Sequence, residues 1–128
     1  MRYLVLAGRI LFALLFILAA PRHFSKEGIE HAAQLGTPLS GLLVPISGVL
    51  ALAGGLSIAA GYQARCGAWM LVAFLLPVTF IMHAFWKLQD PAQAHIQQAM
   101  FAKNLSLLGA ALMIAYFGSG PLSIDGGK

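Results

Sequence analysis

The segment LSGLLVPISGVLALAGGLSIAA, residues 39–60, decides the fold. It runs for 22 residues without a single charge. A helix crossing the apolar layer of a bilayer needs ~20 mostly apolar residues, and this stretch has both the length and the composition. Working outward, three more segments qualify. Residues 3–20 are apolar apart from Arg9, residues 67–86 carry Pro77 and His83, and residues 100–117 carry Lys103 and Asn104 near their start. Together the four spans cover well over half of the 128 residues. Composition agrees: 59% of the residues are hydrophobic and 9% are charged, where soluble domains carry ~25% charged residues. A soluble protein this small has a large surface to cover with polar groups, and this chain lacks them. Disordered chains are poor in apolar residues, so disorder is excluded as well. The expectation is an all-α, integral membrane four-helix bundle, a single domain over residues 1–128.

The connections fit. Residues 21–38 read as a polar loop with Arg22, Lys26, Glu27 and Glu30, and GYQARC at 61–66 reads as a tight turn. KLQDPAQAHIQQA at 87–99 is polar, with Asp90-Pro91 as a turn and helix start. The tail GSGPLSIDGGK reads as non-helical. A secretory signal is the rival reading of the N-terminus, but Leu18-Ala19-Ala20 is a poor cleavage site and Pro21 would follow the cut. The net charge of +4 comes from cations spread singly, so a nucleic-acid partner is not expected. The single cysteine, Cys66, excludes an intramolecular disulfide.

Four spans place both termini and the 61–66 turn on one side of the membrane, side A, and the two longer connections on side B. Arg2, Arg9, Arg65 and Lys128 fall toward side A; Arg22, Lys26, Lys87 and Lys103 fall toward side B. The balance is even, and the shorter connections on side A favour cytoplasmic termini. Ser47, Ala51, Gly55 and Ala59 recur at steps of four along the second span, with Ala53, Ser57 and Gly61 as a second row. Small residues let membrane helices approach closely, which predicts that this helix is the centre of the bundle.

Charged groups within spans are costly and mark candidate functions. Arg9 lies ~9 Å from side A at 1.5 Å per residue. It either snorkels to the lipid phosphates or faces the bundle and needs an acceptor. On side B, His83 and Lys103 lie at similar depth, Asn104 adjoins Lys103, and Trp86 sits at i+3 from His83 on one helix face. His23 follows the first span, while His31 and His95 fall in the connections, so all four histidines lie toward side B. Lys, Asn and neutral His donate hydrogen bonds, which suits an anion or a quinone carbonyl. Interfacial anchoring by His, Trp and Lys is the plainer reading. No HxxH or HxxxH pair offers metal-ligand spacing.

Five segments carry a resemblance: GRILFALLFILAA at 8–20, AGGLSIAAGYQAR at 53–65, HAFW at 83–86, FAKNLSLLGAALM at 101–113 and GSGPLSID at 118–125. Through them the chain resembles the DoxX family of small four-helix bacterial membrane proteins, in its inner-membrane branch. The resemblance implies that Arg9, Lys103 and Asn104 belong to a family pattern. It also implies a link to membrane redox systems, at most as a subunit of a thiosulfate:quinone type oxidoreductase. Two positions depart from that pattern: Ala51 stands where members often carry Glu, and His23 where they carry Lys.

The resulting expectation is an accessory, quinone-interacting subunit of a membrane redox system. His83, Lys103, Asn104, Arg9, His23 and Trp86 are the candidate ligand-binding residues, and the catalytic residues are unknown. No redox centre is visible in the sequence, so a partner subunit carrying a flavin, metal or thiol is expected. A ligand-free scaffold or homo-oligomerisation subunit is the alternative, with a small-solute transporter as the third reading.

Overall fold

The computed structural model describes residues 1–126; Lys128, counted above on side A, lies outside them. The described residues are all helical in their regular structure. Five α-helices run Arg2–Ala19 (α1), Lys26–Gln34 (α2), Ser40–Ala60 (α3), Ala64–Met82 (α4) and Pro91–Phe117 (α5). Short 3-10 turns span Ala20–Phe24 and Phe85–Lys87. Four segments are long and apolar enough to cross a membrane: Arg2–Phe24, Ser40–Ala60, Ala64–Lys87 and Pro91–Phe117. Many large apolar side chains on them are exposed, Leu11, Leu18, Leu42, Met113 and Tyr116 among them. In a membrane protein that surface meets lipid, so the bilayer is the chain's first partner.

Each long helix packs on its neighbour in sequence, α1 on α3, α3 on α4 and α4 on α5. α3 is central because its glycines give close approach on two sides. A Cβ on Gly54 would lie 2.8 Å from the carbonyl oxygen of Gly67 on α4, and one on Gly55 would lie 3.0 Å from Ile17 on α1. The fully buried Ala13, Phe16, Ala51, Ile58, Leu71 and Leu75 fill the space between these helices.

α3 stops at Gly61, whose φ of +71° suits the left-handed C′ position. Its N–H donates to Ile58, and the N–H of Tyr62 donates to Ser57, closing the last turn. α5 starts where Asp90-Pro91 predicts, with the Asp90 carboxylate accepting from Ala92 N–H at 3.2 Å. It then runs unbroken for 27 residues, ~40 Å at 1.5 Å per residue. That exceeds the ~30 Å apolar layer, so the polar PAQAHIQQ stands beyond it on side B.

Two readings of the connections need correction. Residues 21–38 are not a loop. Ser25 accepts from Gly28 N–H at 3.0 Å and caps α2, Glu27 sits in its first turn, and Ala32 is buried beneath it. His83 and Trp86 do not share a helix face either. α4 ends at Met82, and His83 adopts φ −121°, outside the helical range. The chain turns there because Phe85 and Trp86 both pack edge-on against Phe101 of α5, with ring centroids 5.5 and 5.7 Å apart.

Candidate functional site

The tight approach of Gly54 to Gly67 lies toward side A. Toward side B, a groove of about 320 Å³ opens between α3 and α4. Val44, Ser47 and Leu50 of α3 form one wall, and Pro77, Val78 and Ile81 of α4 form the other. Arg22 and His23 of the first 3-10 turn, with His31 of α2, border the same space. Pro77 has no N–H, so the carbonyl of Ala73, another lining residue, lacks its ordinary i+4 donor.

Gly48 brings His23 here. The 3-10 turn lies so close to α3 that a Cβ on Gly48 would be 2.7 Å from the His23 Cβ. The His23 ring packs edge-on against Phe74, with centroids 5.3 Å apart. Its Nδ1 lies 2.8 Å from Ser47 Oγ. The Ser47 hydroxyl donates its only proton to the Val44 carbonyl at 2.6 Å, so Nδ1–H must be the donor to Ser47. In the neutral ring, Nε2 then carries the free lone pair. The groove therefore combines apolar walls with Arg22 and His23 at one end. No Asp or Glu lines it.

The other sequence-derived candidates lie elsewhere. His83, Trp86, Lys103 and Asn104 do not line the groove. His83 Nδ1–H donates to Gln97 Oε1 at 2.7 Å, tying the end of α4 to α5. Trp86 joins Phe80, Phe85 and Phe101 in an aromatic cluster on side B. Lys103 is exposed. Asn104 is 5% exposed, on the face of α5 that carries Ala111 and Ala115.

Arg9 lies near the opposite end of the bundle, 5% exposed. Its Nη1 donates to Ser119 O at 2.7 Å and its Nη2 to Leu122 O at 2.5 Å. Both carbonyls belong to the segment after α5, which folds back over side A. There Ile124 N–H donates to Ala60 O and Asp125 N–H to Gly61 O, each at 3.1 Å. Asp125 Oδ2 accepts from Ser119 Oγ and Gln63 N–H. Of Arg9's buried donors, Nε has no partner among the described residues. Sequence reasoning missed Arg22, Ser47 and Gln97. Arg22 read as a loop charge, Ser47 as a small packing residue and Gln97 as part of a polar connection. The steps of four through Ser47 located the helix face but carried no sign of a hydrogen-bonding role.

The comparisons overturn the resemblance to the DoxX family. The family model of the SURF4 family matches residues 1–128. The inner membrane protein YphA of Escherichia coli (strain K12) is 30% identical over 124 residues, covering 95% of this chain and 88% of that protein. The inner membrane protein YqjF of the same organism is 31% identical over 123 residues, covering 94% and 88%. The ER-derived vesicles protein ERV29 of Saccharomyces cerevisiae (strain ATCC 204508 / S288c) is 28% identical over 123 residues, covering 96% of this chain but 33% of its own length. No solved structure matches the chain. The redox assignment rested on the DoxX resemblance and loses that support with it. With four spanning segments, and inner membrane relatives matched along nearly their whole length, this multi-pass inner membrane protein belongs to the SURF4 family.

Proposed function

We propose that the protein is a membrane receptor for one small amphipathic molecule, held in the side-B groove. The observation that carries this reading is the pairing of apolar walls with His23, whose Nδ1–H is committed to Ser47. A volume of about 320 Å³ falls at the lower end of the ~300–1,000 Å³ usual for ligand pockets. Leu43 and Ile46 line the groove and are also exposed on α3, so a tail reaches it sideways from the lipid. The head then lies against His23 and Arg22, where a hydroxyl donates to Nε2. The quinone expected from the sequence suits this groove in its reduced form, because the oxidised ring carbonyls only accept hydrogen bonds.

The test is extraction of the detergent-purified protein followed by mass spectrometry. The expected result is one amphipathic species at close to one per chain, depleted at least fivefold in Ile46→Trp, which places a bulky ring on the groove wall. Only background membrane lipid, equal in both proteins, would overturn the reading in favour of a ligand-free scaffold.

A further inference from the structure

We propose that Asn104 of α5 and Thr79 of α4 form a water-binding site inside the bundle, in the side-B half of the apolar layer. The site lies apart from the groove, which neither residue lines, and it stands whether or not the groove holds a ligand.

Asn104 is 5% exposed and Thr79 3%. Neither side chain makes a hydrogen bond to another described residue. Asn104 lies four residues past Met100, where the apolar stretch of α5 begins, so ~6 Å into the layer at 1.5 Å per residue. A carboxamide without partners is costly in an apolar interior, and bilayer lipid supplies none. The two residues sit at one level of neighbouring helices, since α4 and α5 pack on each other. Phe80, next to Thr79, packs its ring edge-on against Phe101 at 5.3 Å between centroids. Asn104 follows Phe101 by three residues, about one helical turn. Both side chains belong to buried faces: Thr79 continues the row of Leu71 and Leu75, and Asn104 that of Ala111 and Ala115.

Access decides the size of the occupant. Among the described residues, the one partnerless side-chain polar atom that is fully sealed is Arg9 Nε. The polar atoms of Asn104 and Thr79 also lack partners, so they are not sealed, and a water molecule can touch them. With 5% and 3% of the two residues exposed, little larger than water reaches them. The chemistry agrees. The carboxamide donates and accepts, as does the hydroxyl, and together they offer the two to four polar partners that hold a buried water. Arg9, at the other end of the bundle, is the only buried charged side chain among the described residues. Lys103 is exposed. The site therefore satisfies a neutral molecule and not an ion.

Asn104 is the only asparagine in the chain, so 15N-labelled asparagine marks a single side-chain amide and a single backbone N–H. The test is NMR of the full-length protein, labelled in this way, in detergent micelles. The expected result is a dipolar cross-peak from the side-chain NH2 to water, opposite in sign to chemical exchange in the rotating frame. Those side-chain protons are expected to exchange into D2O at least tenfold faster than the Asn104 backbone N–H, which lies within α5. Thr79→Val keeps the branched shape and removes the hydroxyl; it is expected to weaken the water cross-peak at least twofold and to leave the backbone N–H protected. A side chain with no water cross-peak, whose protons last as long as the backbone N–H, would overturn the site. A cross-peak of unchanged intensity in Thr79→Val would equally overturn a site shared by the two residues.

Discussion

Two backbone carbonyls hold the Arg9 guanidinium, and a fork with two separate N–H arms is what reaches both. Lysine at this position carries the same charge on a single nitrogen and presents no planar fork to the two acceptors. Hydrogen bonds to charged groups contribute ~1.5–3 kcal/mol each. Arg9→Lys is therefore expected to cost about 2 kcal/mol, read as a lower Tm in detergent. An unchanged Tm would show that the carbonyls do not hold the side chain. The sequence left two readings open for Arg9: snorkelling to the lipid phosphates, or facing the bundle with an acceptor it did not name. Nothing local decided among them, since Ser119 and Leu122 are 110 and 113 residues away. His23 was legible as a side-B polar group. Its committed Nδ1 was not, because that depends on the proton Ser47 gives to Val44 across a neighbouring helix.

Among the helices, the Gly54–Gly67 approach makes the sharpest prediction. A Cβ on Gly54 meets backbone, which cannot swing aside. Gly54→Val is expected to push α3 from α4 and lower stability by roughly 1–3 kcal/mol, the usual cost of overpacking. Gly109→Ala serves as the control, because a Cβ there meets nothing within 4 Å and alanine favours the helix interior more than glycine does; it is expected not to lower stability in detergent. Equal effects of the two would show that the close approach is absent. The spans themselves were legible because lipid imposes a long uncharged run, and α3 has no charge to interrupt it. α2 was not legible: it is nine residues long, polar, and held by the Ser25 cap and the buried Ala32. The end of α4 was equally hidden, since residues 67–86 stay apolar past Met82 and the turn is set by packing on Phe101. The family was misread for a related reason. Segments such as GRILFALLFILAA and AGGLSIAAGYQAR follow what every membrane bundle requires, apolar residues and small contact positions, and such patterns recur across families.

At the scale of the whole molecule, the shorter side-A connections predict cytoplasmic termini. Cys66, exposed beside the 61–66 turn, reports on this directly. A membrane-impermeant maleimide is expected to label it in inverted vesicles and not in intact spheroplasts; the opposite pattern would reverse the orientation. On that assignment the groove, at the other end of α3 and α4, faces the outer leaflet. The Arg9 clasp also bears on how the chain is made. Ribosomes deliver α1 to the bilayer first, and its guanidinium waits there while more than a hundred further residues are synthesised. Only when Ser119 and Leu122 have been made can that charge find these two carbonyl acceptors. A chain broken off before residue 119 lacks both of those acceptors, and its first helix carries an arginine that the finished fold would have tied down.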